Sequence, residues 1–222
     1  MSAGDRGRPW RDDYGYAARI GQPVDRPEYD TFVSWTPRGS RVIDLGCGEG
    51  SLGAHLIAER GCVVTGIDVD EAGVAQARAK GLDARVGDVD GGIEAPDGAY
   101  DVAIMNVTLQ MVYRPGFVMR EMLRVAPMAL VSFPNCAWWA ARVELLLGRF
   151  PRTPLYGRAW HETRHIHLFS WRDFLDLLAV AGGRVTAQQH FGRDSRTPSA
   201  LAHAWPNLFA RSCLARVERA PR

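Results

Sequence analysis

The ten residues from Arg41 to Gly50, R-V-I-D-L-G-C-G-E-G, decide how this chain folds. Val42, Ile43 and Leu45 are the apolar run of a buried parallel strand, and Asp44 interrupts it near the carboxyl end. Gly46, Gly48 and Gly50 then let the backbone turn sharply and bring main-chain amides against a ligand, and Leu52, His55, Leu56 and Ala58 continue as a helix. The spacing G-x-G-x-G differs from the G-x-G-x-x-G fingerprint that seats a dinucleotide pyrophosphate on a helix N-terminus. An acidic residue just ahead of the glycines repels phosphate and attracts an ammonium group. That favours S-adenosylmethionine (SAM) over NAD as the ligand.

Composition sets the outer limits. With 222 residues, 46% of them hydrophobic, the chain is long enough to bury one core without disulfides or metals. Its 27 basic and 25 acidic residues leave a formal charge of +2, which gives no electrostatic footprint for nucleic acid. Cys47, Cys62, Cys136 and Cys213 are scattered without a C-x-x-C pair and read as reduced thiols of a cytoplasmic protein. No apolar run approaches the roughly 18 residues of a membrane span, and the charged, Gly/Pro-rich N-terminus has no secretory core. The expectation is a protein without membrane association.

Residues 1–27 are polar but carry Trp10, Tyr14 and Tyr16, too many aromatics for a plain solvated tail; the expected domain covers 28–222. A short helix over 28–35 precedes the first strand. Cys62 to Ile67 is a second strand ending on Asp68, where a carboxylate can accept both hydroxyls of a ribose; Asp70 competes for that role. Glu71 to Lys80 reads as a helix stopped by Gly81, and Ala84 to Val86 as a strand leading into Gly87-Asp88-Val89-Asp90. Tyr100 to Met105 is a fourth strand that ends on Asn106, so Asn106, Thr108 and Gln110 fall at the ligand-facing edge.

Pro115 to Val125 is an amphipathic helix and Ala129 to Phe133 a fifth strand. A helix is expected from just after Pro134 to Gly148, with one of Trp138 and Trp139 in the core. Arg149 to His167 breaks regular patterning and reads as a functional insertion. Ser170 caps a helix that stops at Gly182-Gly183, and Arg184 to His190 and Ser212 to Glu218 are two closing strands. The pattern predicts an α/β protein: a single Rossmann-like doubly wound sheet of about seven strands, mostly parallel, with an antiparallel edge hairpin.

His161-Glu162-Thr163-Arg164-His165 spells H-E-x-x-H, the zinc hydrolase motif, which requires a helix to put both histidines on one face. Its flank I-H-L-F alternates like a strand, so no metal site is expected. His161 and His165 stand instead as candidate catalytic bases, since imidazole titrates near neutral pH.

D-L-G-C-G-E-G resembles the first motif of class I SAM-dependent methyltransferases. The resemblance implies that Asp44 and the Gly46-Cys47-Gly48 turn hold the methionine moiety, Asp68 the ribose, and Asp88 with Val89 the adenine, while Asn106 lies beside the methyl-donor end. It also implies an N-terminal segment folded over the cofactor, with Tyr14 and Tyr16 near the sulfonium in a cation–π contact worth about 0.5–2 kcal/mol. Thr108, Gln110, Asn135, Tyr156 and Trp160 are the candidate contacts for a small-molecule substrate. Longer stretches, among them W-T-P-R-G-S-R-V-I-D-L-G-C-G-E-G, N-V-T-L-Q-M-V, V-S-F-P-N and H-I-H-L-F-S-W-R-D-F, resemble the MetW family. That resemblance implies SAM binding and partnership with a homoserine O-acyltransferase in methionine biosynthesis. Three functions are therefore open: methyl transfer to a small molecule, a SAM-binding regulatory role beside the acyltransferase, and attack on another carbon of SAM by cyclisation or aminocarboxypropyl transfer.

Overall fold

The computed structural model describes Arg26, residues 28–155, Gly157, residues 159–192 and residues 198–221. Seven strands form one sheet: β1 (Arg41–Leu45), β2 (Val63–Asp68), β3 (Asp83–Val86), β4 (Val102–Asn106), β5 (Met128–Pro134), β6 (Gly183–Phe191) and β7 (Ser212–Arg219). Their order is β3-β2-β1-β4-β5-β7-β6. The first five run parallel, and β7 lies antiparallel between β5 and the edge strand β6. This is the expected doubly wound sheet with its edge hairpin. Strand order reverses between β1 and β4, and the crevice at that reversal is where open α/β sheets bind ligands.

The central parallel strands β1, β4 and β5 are buried on both faces, and their side chains alternate between two cores. Val42, Ile104 and Leu130 pack with Phe32, Leu56 and Val74, contributed by α1 (Tyr29–Trp35), α2 (Ser51–Arg60) and α3 (Glu71–Ala79). Ile43, Leu45, Met105 and Phe133 point the other way, onto Met119 and Met122 of α4 (Pro115–Val125) and Phe174 of α6 (Trp171–Ala181). Ser170 makes the expected cap of α6, a reciprocal box with Asp173, and Gly182 ends the helix at φ 75°.

Two expectations need correction. Pro134 is the last residue of β5, and α5 begins only at Trp139 and runs to Leu146, because the Asn135 side chain accepts from Ala137 N–H and holds residues 135–138 in a turn. That turn swings α5 off the sheet, so neither Trp138 nor Trp139 enters the core and only Ala141 of this helix is buried. Between β6 and β7 stand two short helices without a sequence signal, α7 (Ala200–Ala204) and α8 (Pro206–Phe209). Tyr14, Tyr16 and Tyr156 lie outside the described residues.

Gly50 caps α2 at φ 79°, and a Cβ there would sit 2.7 Å from the Ala77 Cα of α3. Both the left-handed backbone and the contact with main chain oppose any side chain. Gly50→Ala is expected to destabilise the fold by about 2–4 kcal/mol through overpacking and backbone strain, read as a lower denaturant midpoint at unchanged m value.

Candidate cofactor site

The glycine turn is fastened to the end of β2. Gly46 N–H and Cys47 N–H both donate to Ile67 O, at 2.7 and 3.1 Å, and Gly48 N–H donates to Asp68 Oδ2 at 2.7 Å. Asp68 Oδ1 accepts from Asp70 N–H at 2.9 Å, and the Val69 backbone also bonds this carboxylate. Asp70 itself is spent as the N-cap of α3, taking Gly73 N–H at 2.8 Å.

Asp44 is 2% exposed and its Oδ1 has no hydrogen-bond partner. Burial, reinforced by the neighbouring Asp68 and Glu49 carboxylates, pushes its carboxyl up to about 7, and burial raises Asp68 as well. The same burial, with Asp44 and Asp68 nearby, pushes the Cys47 thiol far up, so Cys47 offers its backbone rather than a thiolate. Glu49 is neutralised differently: it takes Ser51 N–H at 3.0 Å and the ammonium of Lys80, the only lysine, at 3.2 Å. The uncompensated charge therefore belongs to Asp44 and Asp68. A cationic ligand with hydroxyls fits this donor and acceptor set, and an anionic one does not.

Asp88 receives Asp90 N–H at 3.1 Å as it opens a short 3₁₀ turn over Val89–Gly91, and Val89 is buried there. Gly87 N–H donates to the Asp68 main-chain O at 2.9 Å, which ties this loop to the end of β2.

On the other side of the crevice, β4 ends in a strained corner. Val107 has φ 52°, a left-handed conformation that a β-branched residue adopts at a cost of about 1–3 kcal/mol. It is clamped from two directions: its N–H donates to both O and Oγ of Ser132 at 3.1 Å, and its carbonyl accepts from Gln110 Nε2 at 3.0 Å. Ser132 Oγ donates to Asn106 Oδ1, fixing that side chain too. Thr108 packs onto the glycine turn so closely that a Cβ on Gly46 would lie 2.5 Å from its Cγ2. Acceptor edge and glycine turn are thus one packed unit.

Gln110 is 1% exposed. Its backbone O accepts Ile166 N–H and His167 N–H at 2.9 and 3.1 Å, and its Nε2 approaches His165 Nε2 at 3.3 Å. Because Val107 O requires an N–H from that amide, His165 Nε2 meets a second N–H and serves as an acceptor. The lone pair needed of a base is engaged there. His161 is exposed and packs edge-on against Trp160, which is also exposed; residues 160–162 form a turn and 163–165 are not helical, so the two histidines do not share a helix face. Asn135 is completely buried and spends its amide on the Pro206 and Ala210 carbonyls at 3.0 and 2.8 Å, bracing α8 rather than facing a substrate. Ser132 and Val107 escaped the sequence reading. Ser132 had a visible signal, as the one polar residue in the run A-L-V-S-F.

The profile described as methionine biosynthesis protein MetW matches residues 26–217. The chain belongs to the MetW family. It is 35% identical over 160 residues to the bifunctional methionine biosynthesis protein MetXA/MetW of Rhodopirellula baltica, covering 67% of this chain and 26% of that one. It is 36% identical over 159 residues to a probable S-adenosylmethionine-dependent methyltransferase of Mycolicibacterium smegmatis, covering 69% of this chain and 61% of the relative. The chain thus spans about a quarter and three fifths of the two curated relatives. Among solved structures, the complex of the Trm112 methyltransferase activator with a methyltransferase from Haloferax volcanii contains a chain of the same fold, with TM-score 0.66 and 19% identity over 94% of this chain and 95% of that one. The fold is that of class I SAM-dependent methyltransferases.

The raised Asp44 carboxyl carries a signed consequence for the ligand-free protein. Between about pH 4 and 7 the unfolded chain loses this proton and the folded chain keeps it, so stability falls as pH rises and the contribution is gone above about 7. Asp44→Asn should match the wild type near pH 4 and exceed it by a few kcal/mol at pH 8, measured by thermal denaturation without ligand.

Proposed function

We propose that the protein binds SAM and transfers its methyl group to a small-molecule acceptor. The observation that carries this reading is the partnerless Asp44 oxygen beside a glycine turn: a buried carboxylate that needs a cation, at the strand end where the chain turns tightly enough to admit a ligand. When bound, SAM supplies an activated methyl on a sulfonium, ready for in-line displacement. Asp44 holds the ammonium of the methionine moiety, and the Gly46-Cys47-Gly48 turn borders that moiety. Asp68 takes the ribose hydroxyls, and Asp88 with Val89 borders the adenine. Asn106 and Thr108, fixed by the clamped Val107 corner, face the acceptor, and Gln110 and His165 hold the insertion behind it. Much of the rate then comes from alignment. His165, with its Nε2 already engaged, orients rather than deprotonates. Tyr29 lies close enough to Arg26, Glu49 and Asp44 to feel their charges, so the chain enters α1 beside the site; this supports a lid role for the segment with Tyr14 and Tyr16.

A second reading is favoured by the family match and the fused MetXA/MetW relative: a SAM-binding regulatory partner of a homoserine O-acyltransferase. Mass spectrometry after incubation with SAM and candidate acceptors separates the readings. S-adenosylhomocysteine as product marks methyl transfer, methylthioadenosine marks attack at another carbon, and intact SAM together with co-purification of the acyltransferase marks the regulatory role.

Calorimetry should show binding of SAM and S-adenosylhomocysteine but not NAD. Asp68→Ala should weaken SAM at least tenfold by leaving two hydroxyls unpaired, and removal of residues 1–25 should weaken it as well. Wild-type affinity should rise from pH 6 to 8 as Asp44 ionises, and Asp44→Asn should flatten that rise. Unchanged SAM affinity in Asp68→Ala would refute the ribose assignment.

A further inference from the structure

The most conspicuous surface of the molecule is the outward side of α5 and the turn after it. Trp139, Val143 and Leu146, spaced i, i+4, i+7, share one helix face and are 44, 45 and 86% exposed. Leu145, Leu147 and Phe150 extend it at 53, 75 and 52%. Together they present roughly 600 Å² of apolar side chain, more than scattered surface residues provide and close to the about 800 Å² that each side of a stable protein interface buries.

The segment that carries this patch is also basic in sequence. Residues 139–168 hold five arginines (Arg142, Arg149, Arg152, Arg158, Arg164) and two glutamates (Glu144, Glu162), a net of 5 − 2 = +3, whereas the whole chain is 27 − 25 = +2. The remainder is therefore −1, and the excess positive charge belongs to this segment. A leucine and aromatic centre with an arginine rim is the composition of a protein interface, and it calls for an acidic partner. A second copy of the chain does not supply one: a two-fold contact would set Arg142, Arg149 and Arg152 against their own copies.

We propose that this face docks a homoserine O-acyltransferase of the MetXA type through an acidic rim on that enzyme. The proposal rests on the regulatory reading above, and the relative that joins MetXA and MetW in one chain names the occupant. The position suits it. α5 leaves the end of β5 next to the acceptor edge, and the segment that follows returns to Gln110 through Ile166 and His167, so a partner seated here touches the rim of the SAM site without filling it.

The test is calorimetric titration of the full-length protein with the MetXA-type acyltransferase of the same organism, at low and high salt. A complex is expected that weakens as salt rises. Carrying Leu146→Glu and Leu147→Glu together should weaken it at least thirtyfold and Arg149→Glu several-fold, while SAM affinity and thermal unfolding stay as in the wild type. A complex that survives the double leucine variant would overturn the assigned face and leave the regulatory reading standing. No complex with the wild type would overturn both. Self-association, or sedimentation with phosphatidylglycerol vesicles, that is abolished by the same double variant would show that the face serves a different occupant.

Discussion

A carboxylate buried without a partner is the constraint on which this structure turns. Asp44 sits on the central strand of a sheet covered on both faces, its Oδ1 meets no donor, and its nearest charged neighbours are also acids. Such an arrangement costs folding free energy whenever the group ionises. Sequences that specify a fold well violate local rules of this kind chiefly where function requires it. The same strand end carries the glycine turn, and the turn is held by the carbonyl of Ile67 and the carboxylate of Asp68, so the strain is confined to one small, well-braced place.

The crevice has two walls, and they are mechanically one. Thr108 rests on Gly46, Val107 is held in a left-handed backbone by hydrogen bonds that it donates to Ser132 and accepts from Gln110, and Gln110 in turn anchors the insertion through Ile166 and His167. A change in the insertion therefore reaches the glycine turn through packed atoms rather than through solvent. Methyl transfer and partner regulation both have use for such a connection, which is why one fold can support either.

The parts of this architecture that repeat were legible in the chain. β2 and β4 declare themselves as apolar runs ended by a polar residue and β1 as one that Asp44 interrupts, and the boundaries of α4 were read to the residue, because Pro115 opens it and the apolar spacing closes it at Val125. Asp44, Gly46, Gly48 and Asp68 converge as their positions at strand ends require. What depends on a contact distant in sequence was not legible. Asn135 looked like an edge residue facing ligand, yet its amide reaches carbonyls some seventy residues ahead, and its oxygen holds the turn that makes α5 start late. That His165 would meet the Gln110 amide, 55 residues earlier, was equally hidden. α7 and α8, at five and four residues, are too short for any periodicity to show.

The central claim is that Asp44 is a cation-binding carboxylate kept waiting at high pKa, and it can be observed directly. Carbon-13 NMR of the aspartate carboxyls, with Asp44 assigned from Asp44→Asn, gives its titration with and without saturating S-adenosylhomocysteine, which carries the same ammonium and resists turnover. The free protein should show Asp44 titrating near 7, and the ligand should lower it by two units or more as the ammonium pairs with the carboxylate. A midpoint near 4 in the free protein, or one that the bound ligand leaves unmoved, would contradict this account of the site.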